Sequence, residues 1–177
     1  MTTPAPRRFG RIIAAIDWLT RLGSAISALS LLAILVLIVV EIAVRNFFRM
    51  SFDFTWDLSA YLMGTCFMLA CAGAMRGGIH VRVTALLEIL PPRAARVIDI
   101  AACVTGLLIC ILLSRAFIEM AWLSGVRGTM SATTFRMPLV YPQAVLSFGA
   151  VLLTLQCFAQ LLRLLRGEKL SLAEGID

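Results

Sequence analysis

Four stretches without a charged residue constrain this chain more than anything else in it. They are residues 22–40 (19 residues), 58–75 (18), 100–114 (15) and 143–162 (20). A helix rises 1.5 Å per residue, so about 20 apolar residues cross the roughly 30 Å hydrocarbon core of a bilayer. In lipid every backbone N–H and C=O must find a partner within the protein, which leaves helices or closed barrels. Blocks this long lack the alternating ten-residue pattern of barrel strands. The sequence therefore predicts an all-α integral membrane protein forming a single membrane domain. Its four transmembrane helices fall at 22–44, 58–75, 98–122 and 143–162. Composition agrees, because 60% of the 177 residues are apolar and 15% charged, against about half and a quarter in soluble domains. A disordered chain, a secreted disulfide scaffold and a soluble nucleic-acid binder are excluded. The formal charge of +6 then serves orientation and anionic lipid rather than nucleic acid.

Basic residues divide unevenly between the two sides. Arg7, Arg8, Arg11, Arg21, Arg76, Arg82, Arg93, Arg96, Arg163, Arg166 and Lys169 fall on one side, and Arg45, Arg49, Arg127 and Arg136 on the other. The positive-inside rule places both termini in the cytoplasm. Arg7-Arg8-Phe9 superficially resembles the start of a twin-arginine signal. The apolar run behind it is too long and no small-residue cleavage site follows, so helix 1 is expected to be retained. Residues 9–21 read either as a short amphipathic helix in the membrane plane, with Trp18 at the interface, or as an extension of helix 1. Residues 80–90 repeat the device. Val83, Leu86, Leu87 and Leu90 share a face between the Gly77-Gly78 break and Pro91-Pro92, predicting an in-plane helix. The loop over 124–141 reads as ordered and rich in turns, and the tail over 167–177 as disordered.

Candidate chemistry is sparse. The five cysteines lie in apolar stretches without a CxxC pair and read as small buried hydrophobes. His80 is the single histidine, so a haem held between two histidines of this chain is excluded. No nucleophile with an adjacent base, no paired carboxylates and no phosphate-binding glycine loop is present. The sequence predicts neither an enzyme nor a bound cofactor or metal. Glu41 and Arg45 are four apart on helix 1, and so are Arg115 and Glu119 on helix 3. Both pairs are placed within about two turns of the outer interface and read as structural ion pairs or partner contacts. No acid is placed at the middle of a span. Gln156 and Gln160, with Arg163 next on that face, and Ser147 and Thr154, read as interhelical hydrogen-bonding groups.

Several motifs follow one another in a definite order. Glu41 precedes Arg45-Asn46-Phe47-Phe48, and Phe54-Thr55-Trp56-Asp57-Leu58 leads to Tyr61. Helix 2 closes in Arg76-Gly77-Gly78-Ile79-His80-Val81-Arg82-Val83. A Leu90-Pro91-Pro92-Arg93 break follows, then Ser131, Met137-Pro138-Leu139 and Tyr141-Pro142. Over about residues 38–162 the chain resembles the small permease subunit, of DctQ type, of tripartite ATP-independent periplasmic (TRAP) transporters. The most specific piece is Arg-Gly-x-x-His-x-x-Val. Asp57 stands where the family usually has Glu, and Thr84 where it often has Asp.

The resemblance implies a three-part system. A periplasmic binding protein delivers an organic acid, and a large membrane subunit carries the substrate and sodium sites. The small subunit scaffolds the large one. On this reading Glu41, Arg45, Trp56, Asp57, Arg76, His80 and Arg82 contact a partner subunit or membrane phospholipid. Trp56 and Asp57 would fix the start of helix 2, and Arg76, His80 and Arg82 the turn at its end. Two rivals remain on sequence grounds: a self-sufficient small dimeric exporter, whose essential acid would be Glu41, and the membrane anchor of a redox enzyme.

Overall fold

A computed structural model describes residues 7–77, 92–132 and 136–165. They form four helices: α1 (Arg7–Phe48), α2 (Asp53–Arg76), α3 (Pro92–Arg127) and α4 (Val140–Leu165). All four are long and apolar enough to cross a membrane, and no strand occurs among the described residues beyond an isolated bridge between Met130 and Pro138. The protein is a multi-pass membrane protein.

Helix α1 is unbroken over 42 residues, about 63 Å at the α-helical rise, twice the thickness of the hydrocarbon core. Residues 9–21 are thus continuous with the first span, the second of the two sequence readings. Their apolar stripe is used within the protein, because Ile13 and Ile16 pack on Ala159 and Leu162 of α4. Arg49, at φ 54° in the left-handed region, ends the helix. Helix α3 is also longer than expected, running five residues past Trp122 to Arg127. The predicted in-plane helix over 80–90 and the tail over 167–177 lie outside the described residues.

The helices pack in the order α1, α2, α4, α3, with α4 at the centre. It touches α3, α2 and, at one end, α1, whereas α3 packs on α4 alone to any extent. The central contact joins Leu69 and Ala72 of α2 to Leu152 of α4, with Leu19 and Leu153 against them. Two glycines permit it. A Cβ on Gly149 would stand 2.8 Å from Met68 Cβ, and one on Gly23 would stand 2.9 Å from Leu152 Cδ2. Small residues bring backbones close where lipid supplies no hydrophobic drive for helix association. Most large apolar side chains point away from these contacts. Leu29, Leu31, Met63, Phe67, Leu108 and Leu112 are all more than half exposed, as lipid-facing surface is and a soluble surface is not.

Candidate functional site

Among the described residues the polar groups gather in three places, one at each end of the bundle and one between. At the end formed by the start of α1 and the ends of α2 and α4, Asp17 is the hub. Its Oδ2 accepts from Arg163 Nη2 at 2.5 Å and its Oδ1 from Gln156 Nε2 at 3.3 Å. Arg76 Nε stands 3.9 Å from Oδ1, at the edge of ion-pair range. Thr20 donates to Gln156 Oε1 at 3.1 Å, and Gln160 Nε2 donates to the carbonyl of Met75 at 2.9 Å. One carboxylate thereby joins α1, α2 and α4. All three charged side chains keep between 19% and 30% of their exposure. The expectation that Gln156 and Gln160 bond between helices holds. Asp17 itself is missing from the sequence reading, although Gln156, Gln160 and Arg163 all lie on one face of α4. That face needs an acid opposite it, and only the packing of α1 on α4 says which.

The opposite end is built around Glu41. Phe52 precedes α2 without a side-chain cap, so the first amides of that helix lack an internal acceptor. Glu41 reaches across the turn and supplies one. Its Oε2 accepts from the Phe52 amide at 3.3 Å and from Thr55 Oγ1 at 3.2 Å, and its Oε1 from Ser51 Oγ at 2.7 Å. The sequence pairs Glu41 with Arg45, but no ion pair within 4.0 Å joins them. The acid is committed to α2, and Arg45 is exposed. Asp57 accepts from Ser131 Oγ at 2.9 Å, tying the start of α2 to the segment between α3 and α4. Trp56 is 85% exposed; its ring faces outward beside this polar end. His80 and Arg82 lie outside the described residues.

Between these ends, Ser114 of α3 and Thr154 of α4 share a hydroxyl contact at 2.8 Å, and Thr154 also reaches the Cys110 carbonyl at 3.0 Å. Ser147, by contrast, bonds only to the Gln143 carbonyl within its own helix. The α3–α4 contacts fix an antiparallel register, continued by Gly125 beside Val140 and by Cys157 beside Cys103. Arg115 consequently stands level with residues 149–153 of α4. The uncharged part of α4 is 140–162, so this is its middle.

Arg115 and Glu119 lie farther from the end of α3 than the sequence suggests, because the helix runs on to Arg127. Arg115 lies 12 residues before the end of α3, about 18 Å along the axis, and Glu119 one turn beyond it. The difference comes from ending helix 3 at Trp122. Both side chains are exposed, and no ion pair within 4.0 Å joins them. Arg before Glu is also the less favourable order for an i, i+4 pair. An arginine on a lipid-facing helix costs about 2.5–3.5 kcal/mol at the centre of a span on insertion scales, and less toward an interface that its long side chain can reach. The pair itself lines a groove, together with Ile111, Ile118, Trp122, Val151 and Leu155 and the hydroxyl-bearing Ser114 and Thr154.

Among the described residues no group of three or more His, Cys, Asp or Glu is placed to hold a metal ion. The five cysteines are free thiols. The chemistry of all three clusters is that of helix-to-helix attachment. A family model described as tripartite ATP-independent periplasmic transporters, DctQ component, matches residues 34–167, well over half of the chain. No curated protein matches.

Proposed function

The chain belongs to the DctQ component family of tripartite ATP-independent periplasmic transporters, and from that premise we propose that it scaffolds a large permease subunit during sodium-coupled uptake of an organic acid. The family makes it the small membrane subunit of such a transporter, a transport component rather than an enzyme. In the proposed assembly a periplasmic binding protein supplies the substrate. Sodium and substrate sites belong to the large subunit. Both termini are cytoplasmic in the bacterial inner membrane, so the Asp17 end faces inward and the Glu41 end outward.

The observation that supports the scaffold reading is how the polar groups are used. Asp17 joins three helices at one end. Glu41 and Asp57 brace the start of α2 at the other. A transporter working by alternating access needs polar or unwound elements around a central site. Here the polar side chains tie helices together, as suits a body against which another subunit moves. Trp56 and Arg45, exposed at the Glu41 end, and Arg76, His80 and Arg82 are the proposed contacts to partner or phospholipid.

Co-expression with the large subunit of the same transporter tests this. An affinity tag on the C-terminus of this chain should recover the large subunit in a fixed ratio. The tag should resist antibody in intact cells and react after permeabilisation. Recovery of this chain alone would contradict the scaffold, and a tag reached from outside would contradict the orientation.

A further inference from the structure

We infer that the Arg115–Glu119 face of α3 is the surface on which a membrane-spanning helix of the large subunit docks. That helix would carry an acid opposite Arg115 and a hydrogen-bond donor opposite Glu119. The inference rests on the scaffold reading and deepens it by naming the surface.

Three independent features point to that face. Arg115 is level with the middle of α4's uncharged run, by the Ser114–Thr154 contact and the neighbouring α3–α4 register. Both charged side chains are exposed there, with no ion pair between them. Among the described residues helix α3 is the edge of the bundle, packed on α4 and on no other helix to any extent. A lipid phosphate sits at the interface, whereas Arg115 stands 12 residues inside the end of α3, about 18 Å along the axis. A neighbouring helix brings its groups to the required depth. The two charges, four residues apart on one helix face, ask for complementary groups about one turn apart on the partner. The groove between Ile118 and Leu155 gives that partner a seat beside the charges.

The test uses the complex in membranes. A photo-reactive phenylalanine analogue replaces Ile118 in the groove, 50% exposed, or Leu35 on α1, 59% exposed. The Ile118 probe should capture the large subunit and the Leu35 probe should not. In parallel, Arg115→Leu with Glu119→Leu should lower recovery of the large subunit at least tenfold. The altered chain should remain monodisperse, since leucines suit a lipid-facing helix.

Capture from Leu35 but not Ile118, with the complex intact, would overturn the surface and leave the scaffold reading standing. Unchanged recovery with the double variant would do the same. An Ile118 adduct between two copies of this chain would assign the face to self-association and overturn the inference. Failure of the unaltered chain to recover the large subunit would overturn the scaffold reading and this inference together.

Discussion

Replacing Asp17 with alanine is expected to destabilise the isolated chain by about 2–4 kcal/mol, below the roughly 3–5 of a fully buried pair that loses one partner. The discount follows from exposure, because Asp17 and Arg163 keep 22% and 19% of theirs. The loss is large because one deletion acts on several groups. It leaves the Arg163 guanidinium unpaired and frees Gln156, which Thr20 also holds. It also removes the charge that faces Arg76. Arg76→Gln should cost under about 1 kcal/mol, since a partly exposed ion pair is worth little and this one spans 3.9 Å. The two thermal midpoints in detergent should therefore be clearly separated, with Asp17→Ala the lower. Equal midpoints would show that Asp17 is not the hub.

The second large effect is steric. Gly149→Leu should force α4 away from α2. Even the first added carbon would sit 2.8 Å from Met68 Cβ and 3.3 Å from the Met68 carbonyl carbon, neither of which can rotate aside. Overpacking of this kind costs about 1–3 kcal/mol and sometimes more, and leucine brings three further carbons to the same place. Gly106 is the control. Its nearest neighbour would be Cys157 Sγ at 3.8 Å, an ordinary contact. Alanine at Gly106 should be neutral or should gain up to about 1 kcal/mol from helix propensity. Thermal midpoints of Gly149→Leu and Gly106→Ala, measured side by side, decide it. A Gly149→Leu chain as stable as the unaltered one would mean that α2 and α4 do not approach this closely.

The spans were legible because lipid imposes a length and forbids charge, and both leave a direct mark on the sequence. The helices contain every predicted span and extend it by a few residues at each end, most of all in α1. There the stripe of Ile13 and Ile16 predicts an apolar contact without saying whether lipid or protein provides it. Ala159 of α4 provides it. The polar sites were less legible because they depend on neighbours distant in sequence. Asp17 and Gln156 are 139 residues apart, and no local spacing links them. Glu41 was read beside Arg45, and its hydrogen bonds go instead to Ser51, Phe52 and Thr55. An i+4 arginine is visible in sequence, whereas the uncapped start of α2 comes within reach only once the chain turns back. Arg115 and Glu119 stand deeper within α3 than expected because the helix runs to Arg127, five residues past the predicted end.

The central claim is that this chain supports a transporter without being one. The direct measurement is uptake of a candidate organic acid by proteoliposomes under an inward sodium gradient, with the binding protein outside. Vesicles containing this chain and the large subunit should accumulate substrate. Vesicles containing this chain alone should not, and those with the large subunit alone should show a clear loss. Uptake by this chain alone would contradict the account, and so would full activity of the large subunit without it.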